Sequence, residues 1–185
     1  DIMYAYRKGK IISQNSNQVI LEVMGIGYEI SVSNPYSFEI DKDAIIYIYE
    51  HIREDEHTLY GFKDIHEKEL FLKLINVKGL GPKMALPMFA TGSINGIVDA
   101  IERENILYLK KFPKIGDKVA KQIILDLKGK LSQIDSSAGD SKEELIEVLK
   151  GLGYKDKDFK GIISKVDGSK SIEEQVKESL KLLLK

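Results

Sequence analysis

The chain has 185 residues, 43 % of them hydrophobic and 31 % charged, with a net charge of −1 and no cysteine. That length predicts one to two domains, and the apolar share excludes wholesale disorder. The lack of cysteine excludes disulfides and thiolate metal sites and fits a reducing cytoplasm. No apolar run reaches the roughly 18 residues of a membrane helix, and no signal-peptide pattern opens the chain, so a soluble protein without membrane contact is expected. Met3 reads as a natural start, with Asp1 and Ile2 as additions ahead of it.

The near-zero net charge conceals a segregation. Residues 1–62 carry a balance of −5, residues 63–131 of +5 and residues 132–185 of −1. Opposite signs in adjacent segments suit a partner that one part repels and another attracts. Chance fluctuation of solvated faces would look the same.

In chain order, the first third reads as strands. Short β-branched runs stand at residues 11–12, 19–23, 28–32, 44–49 and 58–62, broken by Asn, Gln and Gly. Such a series predicts a small closed β structure, most simply an OB-like barrel. Gly25 and Gly27 supply a tight turn between the second and third strands. Residues 52–57, Ile-Arg-Glu-Asp-Glu-His, form the tip of a hairpin joining the last two.

From Asp64 the period becomes helical. Leu70, Phe71, Leu74 and Ile75 share one face, and shorter helical stretches follow at residues 84–90, 94–104 and 119–131. Residues 132–141 contain little that could form a core and read as a flexible linker. Beyond it, residues 142–149, 158–166 and 172–184 predict three short amphipathic helices, the first capped by Asp140 or Ser141. A bundle of about 45 residues lies near the lower limit for independent folding, which suits docking on a partner.

The helical middle contains one pattern twice. The first copy runs Leu74-Ile75-Asn76-Val77-Lys78-Gly79-Leu80-Gly81-Pro82-Lys83-Met84-Ala85, the second Leu109-Lys110-Lys111-Phe112-Pro113-Lys114-Ile115-Gly116-Asp117-Lys118-Val119-Ala120. Each joins a helix end to a tight turn holding one apolar residue, and a new helix starts with Lys two residues after a Gly. This is the helix-hairpin-helix pattern. Glycine lets the backbone approach a phosphate, and the first N–H groups of the next helix lack internal partners and sit at its positive end. Leu80 and Ile115 anchor the turns, while Lys83 and Lys118 add point charge. Such contacts hold a backbone and read no bases, so recognition by shape is expected. Gly79-Leu80-Gly81-Pro82-Lys83 is no P-loop, because it lacks the required spacing and follows no strand.

On these residues, with Gly25-Ile26-Gly27-Tyr28-Glu29, Arg53-Glu54-Asp55, Leu59-Tyr60-Gly61-Phe62 and Leu152-Gly153-Tyr154, the chain resembles the RuvA family over nearly its whole length from Met3. The resemblance implies an α+β multidomain protein. Its parts would be an OB-fold barrel (1–62), a domain of two helix-hairpin-helix motifs (63–131), a linker (132–141) and a UBA-like three-helix domain (142–185). It implies homotetramers or octamers that hold a Holliday junction open and square, and a tail that docks on RuvB, a hexameric ATPase. No cofactor, metal or catalytic residue is implied. By the same resemblance, Glu54 and Asp55 form an acidic pin near the junction centre, with Glu56 a third acid at the tip. Arms would be held at Val77, Lys78, Gly79, Leu80, Gly81 and Lys83, and at Lys114, Ile115, Gly116 and Lys118. Leu152, Gly153, Tyr154, Ile162 and Ile163 would meet the motor.

Two residues depart from the family pattern. Lys114 stands where the second hairpin ordinarily has its first Gly, and Asp117 where a basic residue is usual. Lys114 is expected to resist a positive φ, and Asp117 either opposes a phosphate or simply starts a helix. The second hairpin is therefore expected to be weaker or differently arranged. Of the other candidates, His51, His57 and His66 lack metal-ligand spacing. Tyr4, Tyr6, Tyr28, Tyr47, Tyr49 and Tyr60 are stacking platforms or barrel packing, and the Leu-rich residues 180–185 are a partner face or a packed helix side. The competing functions are a general single-strand or duplex binder and a helix-hairpin-helix glycosylase or nuclease, the latter lacking a convincing catalytic constellation.

Overall fold

The structure, a computed structural model, describes residues 4–131, 134, 145–146, 148–154, 159, 161–163, 166 and 172–183. The chain divides into two compact units, residues 1–131 and 132–185. The barrel and helical middle both lie in the first. The linker expected at 132–141, apart from Ile134, and the expected cap at Asp140 or Ser141 fall outside the described residues.

Five strands form a closed barrel in the order β1-β2-β3-β5-β4, with β1 and β4 closing it. They are β1 (Tyr6–Gln14), β2 (Gln18–Val23), β3 (Ile26–Val32), β4 (Asp43–Ile52) and β5 (His57–Phe62). All pairings are antiparallel except β3 with β5, which is parallel. That order is the Greek-key closure of an OB fold. Alternation turns Ile11, Val19, Leu21, Ile30, Val32, Ile46 and Ile48 inward as a dry core. The register of β1 against β2 slips between Ile11 and Ser13, leaving Ile12 as the extra residue of a bulge. Met24 and Gly25 make the β2–β3 turn with φ of 51° and 80°, so the turn falls one residue earlier than Gly25 and Gly27 suggest.

An aromatic seam joins the barrel to the helices. Phe71, on α1 (Ile65–Ile75), lies 4.8 Å from Phe62, 5.6 Å from Tyr49 and 5.7 Å from Tyr60 between ring centroids. Tyr49 and Tyr60 are thus packing groups, and Tyr60 is only 3 % exposed. Helix α1 starts where Asp64 accepts a bond from the His66 N–H, the usual N-cap device. Of its expected inward face, Leu70, Phe71 and Leu74 are fully buried, with Ile75 at the margin.

The helix expected at 84–90 begins earlier and divides in two, as α2 (Pro82–Ala85) and α3 (Met88–Thr91). Pro82 suits a first helical position, where its missing N–H costs nothing. Pro87 keeps helical dihedrals of −60° and −19° but cannot donate to the preceding turn, which separates the two halves. Next come α4 (Ile94–Glu102), α5 (Ile106–Leu109) and α6 (Asp117–Leu127). Helix α6 stops short of residue 131 because Lys128 turns extended, with ψ 130°, and Gly129 has φ 75°. Among the described residues no single helix is long and apolar enough to cross a membrane.

In the second unit, Leu145, Leu149, Phe159 and Val166 form a small core. Helix α7 (Ile172–Leu183) packs on it through Ile172, Val176, Leu180, Leu182 and Leu183. Leu180, Leu182 and Leu183 of the Leu-rich end therefore belong to the packed side of the helix. The turn at Leu152-Gly153-Tyr154 is a Schellman helix ending. Tyr154 N–H donates to Leu149 C=O and Gly153 N–H to Lys150 C=O, with Gly153 at φ 94°.

Candidate nucleic-acid interface

The two hairpins are built alike. In the first, Val77 N–H donates to Leu74 C=O, Leu80 N–H to Val77 C=O and Ala85 N–H to Gly81 C=O. In the second, Phe112 N–H donates to Leu109 C=O, Ile115 N–H to Phe112 C=O and Ala120 N–H to Gly116 C=O. Val77 and Leu80 are buried at 3 % and 2 % exposure, and Phe112 and Ile115 at 4 % each. These apolar pairs fix the turns from inside, leaving Lys78, Gly79, Gly81, Lys114, Gly116 and the lysines Lys83 and Lys118 exposed.

The expectation that Lys114 would resist a positive φ is corrected: its φ is 64°, beside 89° for Gly79 at the matching position. The flanking hydrogen bonds and buried Phe112 and Ile115 hold the turn closed, and Lys114 follows its backbone. The second hairpin is not differently arranged in its main chain.

Gly81 and Gly116 have φ of −91° and −93°, values open to any residue. A Cβ at either would meet nothing within 4 Å. Neither dihedral nor internal packing asks for glycine there, so the open space faces outward. Neither residue has a side chain capping the helix that follows it. By contrast Asp64, Ser93 and Asn105 cap α1, α4 and α5. Uncapped N–H groups beside lysines form a ready anion cradle.

The acidic tip lies close by. Residues Arg53, Glu54, Asp55 and Glu56 close a loop through Arg53 N–H donating to Glu56 C=O at 2.7 Å, and Glu54 and Asp55 are exposed. Asp55, Glu56, His57, Lys83 and Lys114 line one groove of about 940 Å³, together with a polar wall of Ser16, Asn17, Gln18, Ser31 and Ser33. The groove thus gathers Asp55 and Glu56 of the acidic tip and one lysine from each hairpin, while Glu54 does not line it. Lys78 and Lys118 stand outside it. The wall of hydroxyls and amides was missed in the sequence, because short polar residues at strand ends look like ordinary turns. Asn15 shapes that wall by accepting bonds from the N–H groups of Asn17 and Gln18.

Two lysines of the hairpin segments, the candidate contact Lys83 and its neighbour in the second copy Lys110, are already paired. Lys83 Nζ lies 3.1 Å from Glu56 Oε2, and Lys110 Nζ lies 2.8 Å from Asp117 Oδ1. The Lys83 ammonium and then the Thr58 hydroxyl hold the Glu56 carboxyl below its usual range, and Lys110 does the same for Asp117. Asp117 therefore both starts α6 and offsets the charge of Lys110. The histidines do not converge: His57 pairs with Glu50, His66 with Glu69, and His51 with the Tyr49 hydroxyl. Among the described residues no three His, Asp or Glu groups gather as metal ligands. In the tail, Leu152 is 55 % exposed, whereas Tyr154, Ile162 and Ile163 pack partly against the small core.

A five-stranded OB-type barrel fused to a doubled helix-hairpin-helix defines a nucleic-acid-binding class of fold. Residues 3–61 match the family model of the RuvA N terminal domain, residues 71–130 that of the SAM-like helix-hairpin-helix tandem, and residues 140–184 that of the RuvA C-terminal domain. Similar proteins include one from Pediococcus pentosaceus, 39 % identical over 99 % of this chain and 100 % of its own. Others come from Streptococcus pyogenes and Streptococcus agalactiae, 42 % and 41 % identical with the same coverage. Each of those three bears the name Holliday junction branch migration complex subunit RuvA. The chain belongs to the RuvA family.

Proposed function

We propose that this chain is the junction-binding subunit of a branch-migration complex. It recognises four-way DNA by shape, holding duplex arms through backbone phosphates at Val77, Lys78, Gly79, Leu80, Gly81 and Lys83 and at Lys114, Ile115, Gly116 and Lys118. Glu54 and Asp55 stand at the crossover as a pin, where carboxylates repel phosphates and help part the strands. The observation that carries this reading is one groove lined both by acidic residues of the tip, Asp55 and Glu56, and by a lysine from each hairpin, Lys83 and Lys114. Uniform attraction would serve any duplex, whereas attraction beside a local repulsion favours DNA whose strands diverge.

The subunit is non-catalytic and works in the cytoplasm without cofactor. Its assembly is a homotetramer or octamer, which brings several acidic tips to one centre. A RuvB-type hexameric ATPase supplies the movement, docking on the tail at Leu152, Gly153, Tyr154, Ile162 and Ile163. Leu152 offers an exposed apolar side chain beside the Gly153 turn, and Ile162 and Ile163 offer what the small core leaves uncovered.

A gel shift comparing a four-way junction with linear duplex of the same arm sequence, across a salt series, tests the reading. Preference for the junction that survives a change of arm sequence is expected. Equal binding to both forms, falling steeply with salt, would leave a general phosphate-binding protein. Junction cleavage in Mg²⁺ would refute the non-catalytic assignment.

A further inference from the structure

The third acid of the tip does not behave like the other two. Glu56 Oε1 accepts a bond from Thr58 Oγ1 at 3.0 Å, which turns Oε2 toward Lys83 Nζ at 3.1 Å. Thr58 follows on the same hairpin, while Lys83 comes from the first helix-hairpin-helix, 27 residues along the chain. The Lys83 side chain is 75 % exposed and that of Glu56 25 %. The lysine is thus free to change partners, and the carboxylate is held in place.

We infer that Glu56 is an internal stand-in for a DNA phosphate on Lys83, so that binding at the first hairpin exchanges carboxylate for phosphate and releases Glu56 to the acidic tip. Two effects follow. Lys83 is neutralised before DNA arrives, which lowers indiscriminate attraction for duplex. Once Lys83 turns to a phosphate, the tip gains a third uncompensated charge beside Glu54 and Asp55, so grip on an arm and repulsion at the crossover rise together. Glu56 is a positioning residue in this scheme and touches no DNA itself. The inference rests on the reading that Lys83 meets a phosphate.

Four full-length proteins test it on one four-way junction probe across a salt series: the parent, Glu56→Gln, Lys83→Met and the double variant, each checked for folding by thermal melting. Lys83→Met is expected to weaken binding. Glu56→Gln is expected to tighten it by about two- to fivefold with the log–log salt slope unchanged, because Lys83 meets a phosphate in both complexes. In the Lys83→Met background that gain should shrink severalfold. Thr58→Val keeps every charge but loosens the carboxylate, and should tighten binding in the same direction.

An equal gain from Glu56→Gln in both backgrounds would mean simple removal of a repelling charge and would overturn the inference. No gain in the parent background would overturn it as well, as would an unchanged Thr58→Val protein. If Lys83→Met binds as well as the parent, the phosphate role of Lys83 fails first and the exchange with it. That outcome is separate from one in which Lys83 matters and Glu56 does not.

Discussion

Gly79 and Lys114 occupy the same turn position in the two hairpins, and both take left-handed dihedrals, with φ of 89° and 64°. For glycine that conformation is free. For lysine it crowds Cβ against the backbone, at a cost of about 1–2 kcal/mol. The second hairpin thus keeps its shape against the preference of its own residue.

Lys114→Gly should therefore stabilise the protein by about 0.5–1 kcal/mol, after glycine's greater freedom in the unfolded chain is subtracted. A rise in the urea midpoint with unchanged slope is the expected sign. Lys114→Ala, which removes the charge but keeps the crowding, should show no such gain. Both should weaken DNA binding alike if the ammonium is the group that DNA meets.

Gly61 sits in β5 where the parallel pairing with β3 closes the barrel. A Cβ there would lie 2.4 Å from Ile30 Cγ2 and 2.6 Å from Ile46 Cγ2, both of them core side chains. Gly61→Ala should destabilise the first unit by about 1–3 kcal/mol through overpacking. Chemical denaturation followed by tyrosine fluorescence would read it. A neutral result would mean that the two isoleucines repack without cost.

Burial pushes the Tyr60 phenol up from 10.0 to about 12, helped by the charges of Glu56 and Tyr49. The fold thus retains a proton that the unfolded chain releases. This contribution to stability is complete below pH 10 and is lost as the pH rises through about 12. The alkaline decline in unfolding midpoint should be shallower in Tyr60→Phe than in the parent, other tyrosines being common to both. Parallel curves would show that the phenol ionises in the folded state as it does in the open chain.

Neutralising the tip with Glu54→Gln and Asp55→Asn should raise affinity for continuous duplex by about two- to threefold per carboxylate at low salt. The junction should gain less, so that discrimination falls. Binding ratios measured on the same arm sequence would show it. An unchanged ratio would remove the acidic tip from shape selection.

Much of this was legible locally. Short β-branched runs broken by Asn, Gln and Gly marked the five strands, because strand preference and turn chemistry act between near neighbours. The spacing of Gly79, Leu80, Gly81 and Lys83, repeated at Lys114, Ile115, Gly116 and Lys118, marked both hairpins, since a tight turn and a helix start are also short-range events. Boundaries were less legible at Pro87 and Lys128, where a missing N–H and a single extended dihedral ended helices whose apolar pattern ran on.

By itself, then, the sequence determined the barrel-forming strands, the doubled hairpin and the acidic tip, all set by sterics and hydrogen bonding within a few residues. Tertiary structure alone decided that Tyr49 and Tyr60 seal a seam against Phe71 rather than offer stacking faces, and that Lys114 accepts a glycine's dihedral. It also decided that Lys83 faces Glu56. The tyrosine seam and the Lys83–Glu56 pair depend on the helices packing against the closed barrel, and the Lys114 dihedral on the burial of Phe112 and Ile115, which no local pattern connects.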